Sequence, residues 1–456
     1  ILKYDQISKV LLPDVTFEVW HDGSLFGVYT TNSSGEIFLY DLEPGTYLVK
    51  EIATDDAHVV NSTPQQIELK AGDTQTRELV FFNSLKPGIH LVKVDSATMK
   101  SLPNVRFEFK LVGDSYRQEL TTDMNGEIDL SKLTPGAYEV RELEAPDGYL
   151  VDDAVRVVQV NPDENANFVF TNTPKPSLRL IKTSSDGSRL AGVQFRIARI
   201  EDGARYLDRI TDTNGEINIT DLEPGVYSVK ETATVSDHIL DLREYHVELF
   251  PGQTSTITIE NQKRPNLIVY KHDADTGDPV PNTVFLVKAA DGNSVDEIKT
   301  DAQGRAALAN LLPGVYEISE KSVPAPYLMD AEPQLVTLYA NRDHTVYFEN
   351  HKKPALTIHK VDSITGSPIQ GAKFEVWYGS SSTTTGELNS LGVFLSDASG
   401  QIVIDDLRDG WYKVTELEPA AGFTIKQPAT QEFHIKGGES KSITFENTPL
   451  NAIVVE

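Results

Sequence analysis

Three residue types recur along this 456-residue chain at spacings that could do chemistry: a lysine, a glutamate and an asparagine, five times over. The sets are Lys3, Glu51 and Asn83; Lys93, Glu142 and Asn172; Lys182, Glu231 and Asn261; Lys271, Glu320 and Asn350; and Lys360, Glu416 and Asn447. Desolvation makes a lysine amine give up its proton more readily and a carboxyl hold its proton more tightly. A neutral amine is a nucleophile, and the carbon of a neighbouring carboxamide is its electrophile. A carboxyl between them can protonate the amide oxygen, stabilise the tetrahedral intermediate and pass a proton to departing ammonia. The product is a Lys–Asn isopeptide bond, formed once per set. The competing reading of each set is a buried, satisfied Lys–Glu pair with the asparagine as hydrogen-bond partner.

The elements that would have to position these groups repeat with them. Successive lysines are 90, 89, 89 and 89 residues apart. Between each lysine and its asparagine stands one landmark, two glycines ten residues apart with the glutamate six beyond the second: Gly35/Gly45/Glu51, Gly126/Gly136/Glu142, Gly215/Gly225/Glu231, Gly304/Gly314/Glu320 and Gly400/Gly410/Glu416. Pro87, Pro176, Pro265 and Pro354 each follow an asparagine by four residues and punctuate the boundaries. The period predicts five domains, at 1–86, 87–175, 176–264, 265–353 and 354–456.

Within a repeat, alternating apolar runs such as Val105-Arg106-Phe107-Glu108-Phe109 are separated by Gly, Pro, Asn and Asp, and no long helical periodicity appears. Short strands at close spacing predict an all-β chain of five tandem immunoglobulin-like β-sandwiches, arranged as an elongated rod. Residues two apart on a strand share a face. In Tyr138-Glu139-Val140-Arg141-Glu142, the Tyr, Val and Glu therefore point the same way. Leu91/Lys93 and Phe170/Asn172 share faces by the same count. An amine, an acid and an amide thus point into each predicted core. Burying them unpaired is costly, so the pattern demands a shared arrangement.

Tyr138-Glu139-Val140-Arg141-Glu142-Leu143-Glu144-Ala145-Pro146-Asp147-Gly148-Tyr149 resembles the E-box of the Cna-B-type (collagen-adhesin B-region, SpaA-like) domains of Gram-positive surface adhesins and pilins. The resemblance extends over all five repeats. It implies a reverse-immunoglobulin, prealbumin-like sandwich with an intramolecular isopeptide bond: first-strand lysine as nucleophile, last-strand asparagine as electrophile and E-box glutamate as catalyst. The first and third repeats depart from the tail of that motif, with Ala53-Thr54-Asp55-Asp56-Ala57-His58 and Ala233-Thr234-Val235-Ser236-Asp237-His238 in its place.

Composition narrows the function classes. Forty-one basic against 68 acidic residues give a net charge of −27, which disfavours nucleic acid and anionic lipid. There are no cysteines, so neither disulfides nor thiolate metal sites are available. No apolar run approaches the length of a bilayer span, and export and anchoring signals are expected outside these residues. HExxH, GxSxG and P-loop motifs are absent, and Asp273-Ala274-Asp275-Thr276-Gly277-Asp278 has Asp278 and Val284 where a calcium loop has its glycine at position six and its glutamate at position twelve. No cofactor or metal is expected, and no turnover enzyme.

The expected function is a mechanical stalk on a cell-wall-anchored, extracellular Gram-positive protein, projecting a binding region. Its expected partner is a host or neighbouring-cell surface ligand reached through regions outside this sequence, with no membrane insertion, and the chain itself a monomeric rod. The alternative is a ligand-binding adhesin region that uses the longer fifth repeat, where the run Ser380-Ser381-Ser382-Thr383-Thr384-Thr385 sits in an insertion.

Overall fold

The structure is a computed structural model that describes residues 1–203, 205–380, 386–436 and 439–451. Residues 381–385 of the serine and threonine run lie outside the described residues. No α-helix occurs among the described residues; a single 3-10 turn covers Ile200–Asp202. Backbone contacts group the chain into two compact units. One holds the first two repeats and most of the third; the other holds the fourth and fifth with short pieces of the third.

In the first unit, the second repeat displays the fold most completely. Its seven strands are Gly88–Asp95, Arg106–Leu111, Arg117–Thr121, Glu127–Leu130, Gly136–Glu144, Arg156–Val160 and Asn165–Asn172. The first strand lies between the fourth and the seventh in a three-stranded sheet, and the other four form a second sheet in the order sixth, fifth, second, third. First and last strands run parallel, with Lys93 opposite Phe170 and Asp95 opposite Asn172, while the remaining pairings are antiparallel. Side chains facing inward from both sheets, among them Leu91, Phe107, Phe109, Tyr138, Val140 and Phe170, make one core. The third repeat has the same two-sheet order. The first has a two-stranded small sheet, Leu2–Asp5 against Val80–Asn83, beside the usual four-stranded one.

In the second unit, the fourth repeat copies the second strand for strand. The fifth adds Phe423–Ile425 to the free edge of its last strand, making both sheets four-stranded.

Two recurrent details explain the spacing of the landmark. The tyrosine two residues after the second glycine closes a corner: Tyr47, Tyr138, Tyr227, Tyr316 and Tyr412 each donate their hydroxyl to the carbonyl four residues earlier, at 2.7–3.0 Å. The first glycine adopts left-handed backbone, with φ of 76° at Gly126, where a Cβ would lie 2.6 Å from the carbonyl oxygen of Lys93. Its own carbonyl accepts from Lys93 N at 2.8 Å. The glycine is therefore needed both for its dihedral and for its close approach to the lysine backbone.

The boundary prolines are built into the fold. Lys86 N donates back to Ala57 O (2.8 Å), while Pro87 O accepts from Leu133 N (2.9 Å) in the following repeat. Lys175/Pro176, Arg264/Pro265 and Lys353/Pro354 repeat this arrangement with Gly148 and Leu222, Asp237 and Leu311, and Pro326 and Leu407.

Candidate functional site

Strand phase decides which side chains enter the core, and the polar members of each set enter it. All five lysines are 0% exposed, no glutamate of the sets exceeds 7% and no asparagine exceeds 3%. The lysine comes from the first strand, the glutamate from the strand after the tyrosine corner, and the asparagine from the end of the last strand. In four repeats, parallel pairing of first and last strands sets lysine and asparagine side by side. In the first, second, fourth and fifth repeats the asparagine stands opposite the residue two beyond the lysine: Asp5, Asp95, Asp273 and Asp362.

The lysine Nζ lies 2.8, 2.6, 3.1, 3.3 and 3.1 Å from a carboxylate oxygen of Glu51, Glu142, Glu231, Glu320 and Glu416 respectively. The other glutamate oxygen accepts from the carboxamide in the first, second and fifth repeats, at 2.5 Å from Asn83 Nδ2, 2.6 Å from Asn172 Nδ2 and 2.8 Å from Asn447 Nδ2. In the fourth, Asn350 Nδ2 donates to Glu320 at 3.0 Å, and Asp330 N reaches the same oxygen at 2.8 Å. The lysine also donates to the carboxamide oxygen at 2.5 Å in Asn83 and 2.6 Å in Asn350 and Asn447. In the third repeat, Lys182 pairs with Glu231, and Asn261 Nδ2 donates to Thr234 Oγ1 at 2.9 Å.

The surroundings are dry. In the ladder each glutamate faces a fully buried phenylalanine: Phe17, Phe107, Phe195, Phe285 or Phe374. In four repeats that ring packs on a second phenylalanine next to the lysine, with centroids 4.9 Å apart for Phe17/Phe81 and 5.3 Å for Phe107/Phe170. Desolvation by this packing pushes Lys3, Lys93, Lys271 and Lys360 below their ordinary pKa, and the adjacent glutamate opposes the shift. Such a site favours loss of the ammonium proton to a neighbouring base, which is the condition for nucleophilic attack.

Three positioning features were not read from the sequence. A β-bulge follows the glutamate in every repeat, as where Phe107 pairs with Glu142 but Arg106 pairs with Glu144. The bulge turns the E-box tail back over the site. That tail then latches onto the residue two beyond the lysine. Tyr149 and Tyr327 donate to Asp95 and Asp273 at 2.8 Å, whereas the divergent first and third repeats use His58 Nε2 against Asp5 and His238 Nε2 against Ser184, both at 3.0 Å. Finally, a buried hydroxyl four residues before the landmark glycine staples two loops. Thr122 Oγ1 donates to Leu102 O (2.8 Å) and accepts from Val105 N (3.0 Å), and Thr31, Thr211, Thr300 and Ser396 do the same. Its constant offset from the glycine was the available signal.

Asp273 caps the turn after its strand by accepting from Asp275 N and Thr276 N, and its other oxygen meets Tyr327 and Lys352. Residues 274–276 form that turn. Among the described residues, His90, Glu127 and Asp129 form one group with metal-ligand spacing, with His90 Nδ1 2.8 Å from Asp129 Oδ1. The matching strands of the third repeat carry Arg179 on both oxygens of Glu216, so the position is an ordinary cross-strand charge pair.

Two-sheet sandwiches repeated five times, each with a buried lysine, glutamate and asparagine, define a tandem array of prealbumin-like domains. The chain belongs to the SpaA prealbumin-like fold domain family, whose family model matches residues 1–81, 87–174, 176–263, 265–352 and 354–449. It is 30% identical to the collagen adhesin of Staphylococcus aureus over 117 residues, covering 24% of this chain and 10% of that protein. It is 26% identical to Colossin-A of Dictyostelium discoideum over 264 residues, covering 50% of this chain and 2% of that protein. The chain thus spans a tenth or less of the length of either relative. A streptococcal ancillary pilin is similar at 21% identity and a TM-score of 0.26, covering 59% of this chain and 99% of that one.

Proposed function

We propose that this chain is a load-bearing stalk segment of a protein displayed on the cell wall of a Gram-positive bacterium. Each domain is locked by an autocatalytic amide bond between Lys3 and Asn83, Lys93 and Asn172, Lys182 and Asn261, Lys271 and Asn350, or Lys360 and Asn447. Glu51, Glu142, Glu231, Glu320 and Glu416 are the catalysts. The observation that carries the reading is the contact of lysine and glutamate inside a buried core, with the carboxamide on the other carboxylate oxygen in Lys93/Glu142/Asn172. The glutamate accepts a proton from the amine as Nζ attacks Asn Cγ and delivers one to Nδ2 as ammonia leaves. The reaction runs once per domain and its product stays in the fold, so the chain is a structural protein rather than a turnover enzyme.

Topology supports the mechanical role. Parallel first and last strands bring the chain into a domain at one pole and out at the other, so tension shears that strand pair. A covalent link between Lys93 and Asn172 relieves the 78 residues between them of load. The family and the similarity to the collagen adhesin support a surface location. The same proposal keeps domain boundaries at 86/87, 175/176, 264/265 and 353/354. At each of these steps one residue bonds backward and the next bonds forward.

Intact mass tests the chemistry, because each bond expels ammonia and lowers the mass by about 17 Da. Tryptic digestion should then yield branched peptides that join each lysine to its asparagine. An unshifted mass would overturn the reading.

A further inference from the structure

The two repeats that depart from the E-box tail also place a hydroxyl on the reacting carboxamide. Asn83 Nδ2 donates one hydrogen to Glu51 Oε1 at 2.5 Å and another to Thr54 Oγ1 at 2.9 Å. Asn261 Nδ2 donates to Thr234 Oγ1, also at 2.9 Å. Thr54 and Thr234 stand three residues beyond the glutamate, and the same position holds Ala145, Val323 and Pro419 in the other repeats, none of which carries a side-chain hydroxyl. The threonine is partly buried, on the segment that the bulge after the glutamate folds back over the site.

We propose that Thr54 is a fourth member of the cross-linking site in the first domain, holding the leaving nitrogen of the carboxamide, and that Thr234 holds the same nitrogen of Asn261. The inference rests on the isopeptide reading above and adds to it. In the starting amide, the threonine oxygen accepts from Nδ2, which turns the carboxamide so that its nitrogen faces away from the lysine and its carbon is open to attack. Once Lys3 Nζ bonds to Asn83 Cγ, Nδ2 becomes a tetrahedral amine with a lone pair. That lone pair takes the proton that Glu51 received from Nζ, and the threonine oxygen keeps accepting an Nδ2 hydrogen, a bond that strengthens as the nitrogen gains positive charge and becomes the leaving group. The Nζ–Cγ bond forms, the Cγ–Nδ2 bond breaks, and one proton moves from Nζ to Nδ2, so that ammonia leaves and the threonine is unchanged. In repeats without this hydroxyl, the glutamate performs the transfer alone.

The bland alternative is that the threonine only satisfies a buried N–H. Rate separates the two. The full chain is made by cell-free translation, samples are quenched in denaturant at intervals, and the branched Lys3–Asn83 peptide is quantified against Lys93–Asn172 in the same molecules as an internal clock. Thr54→Val should slow the Lys3–Asn83 bond about ten-fold, the size expected for one hydrogen bond that tightens towards the transition state. Thr54→Ser should restore the rate, and the Lys93–Asn172 clock should not change. If Thr54→Val impairs folding of its domain, Ala145→Thr in the second domain decides, and should accelerate the Lys93–Asn172 bond. Equal rates in wild type and Thr54→Val, or no acceleration in Ala145→Thr, overturn the role of the hydroxyl while leaving the cross-link intact. Absence of any branched peptide from wild-type protein overturns the cross-link itself, and this inference with it.

Discussion

Glu142 has one oxygen against Lys93 Nζ and the other against Asn172 Nδ2, so replacing it removes both hydrogen bonds together. Glu142→Ala should leave the chain about 17 Da above the mass of the same substituted sequence with all five bonds formed, because one ammonia is retained. By the loop-closure relation, losing a cross-link around this many residues removes about 4–5 kcal/mol. In calorimetry of the whole chain, the transition of that domain should fall by roughly 15–40 °C while the others hold. Bond formation should also depend on pH. Burial lowers the pKa of Lys93, so the reactive neutral amine grows as pH rises towards the ordinary lysine range, and the rate should rise with it. The sign is the same for stability in Asn172→Ala, which cannot form the bond. The unfolded lysine holds its proton more tightly than the folded one, so unfolding takes up protons and stability increases with pH over that interval. A pH series of urea melts on this variant checks the slope; a fall in stability across the alkaline range would contradict it.

Elements position these groups through backbone contacts that tolerate little change. The first strand is clamped at the lysine itself, since Lys93 N donates to Gly126 O and Lys93 O accepts from Leu102 N. In Gly126→Ala the added Cβ meets a carbonyl oxygen at 2.6 Å on left-handed backbone. The dihedral alone costs about 1–2 kcal/mol, and the clash can be relieved only by moving the lysine strand. The variant should therefore both lower the unfolding temperature of the second domain and slow its cross-link. Thr122→Val tests the loop staple. It preserves shape but leaves Val105 N without its acceptor, a loss of about 1–3 kcal/mol in chemical denaturation. Because the staple holds the loop that carries Leu102, a slower cross-link should accompany that loss.

For the whole molecule, the test is extension under load. With Lys93 and Asn172 joined, single-molecule pulling should show no unfolding step of domain size. Glu142→Ala should release the 78 residues between them as one step of roughly 250 Å. Five bonds predict no such step from any domain of the parent chain, and one for each glutamate replaced. A parent chain that unfolds in domain-sized steps would be incompatible with the proposed stalk. The short steps between domains, such as Lys86–Pro87, then bear the load together with the first strand up to its lysine.

Much of this was legible in the chain itself, because side-chain alternation is a local property of extended backbone. A period of two places Tyr138, Val140 and Glu142 on one face wherever the strand packs, and the structure buries all three. The recurrence of lysine, glutamate and asparagine once in every repeat likewise needs no partner to be seen. What alternation leaves open is which strands meet and in what register. The parallel pairing that puts Asn172 opposite Asp95 joins residues almost a domain apart, through hydrogen bonds that no local pattern encodes. The bulge after the glutamate is likewise a property of two strands together. So is the match of His58 with Tyr149, unlike side chains that reach the same place beside the lysine. The residue types and their inward phase were determined by the sequence. Their approach to hydrogen-bonding distance was decided only when two sheets closed over one core and buried all three groups together.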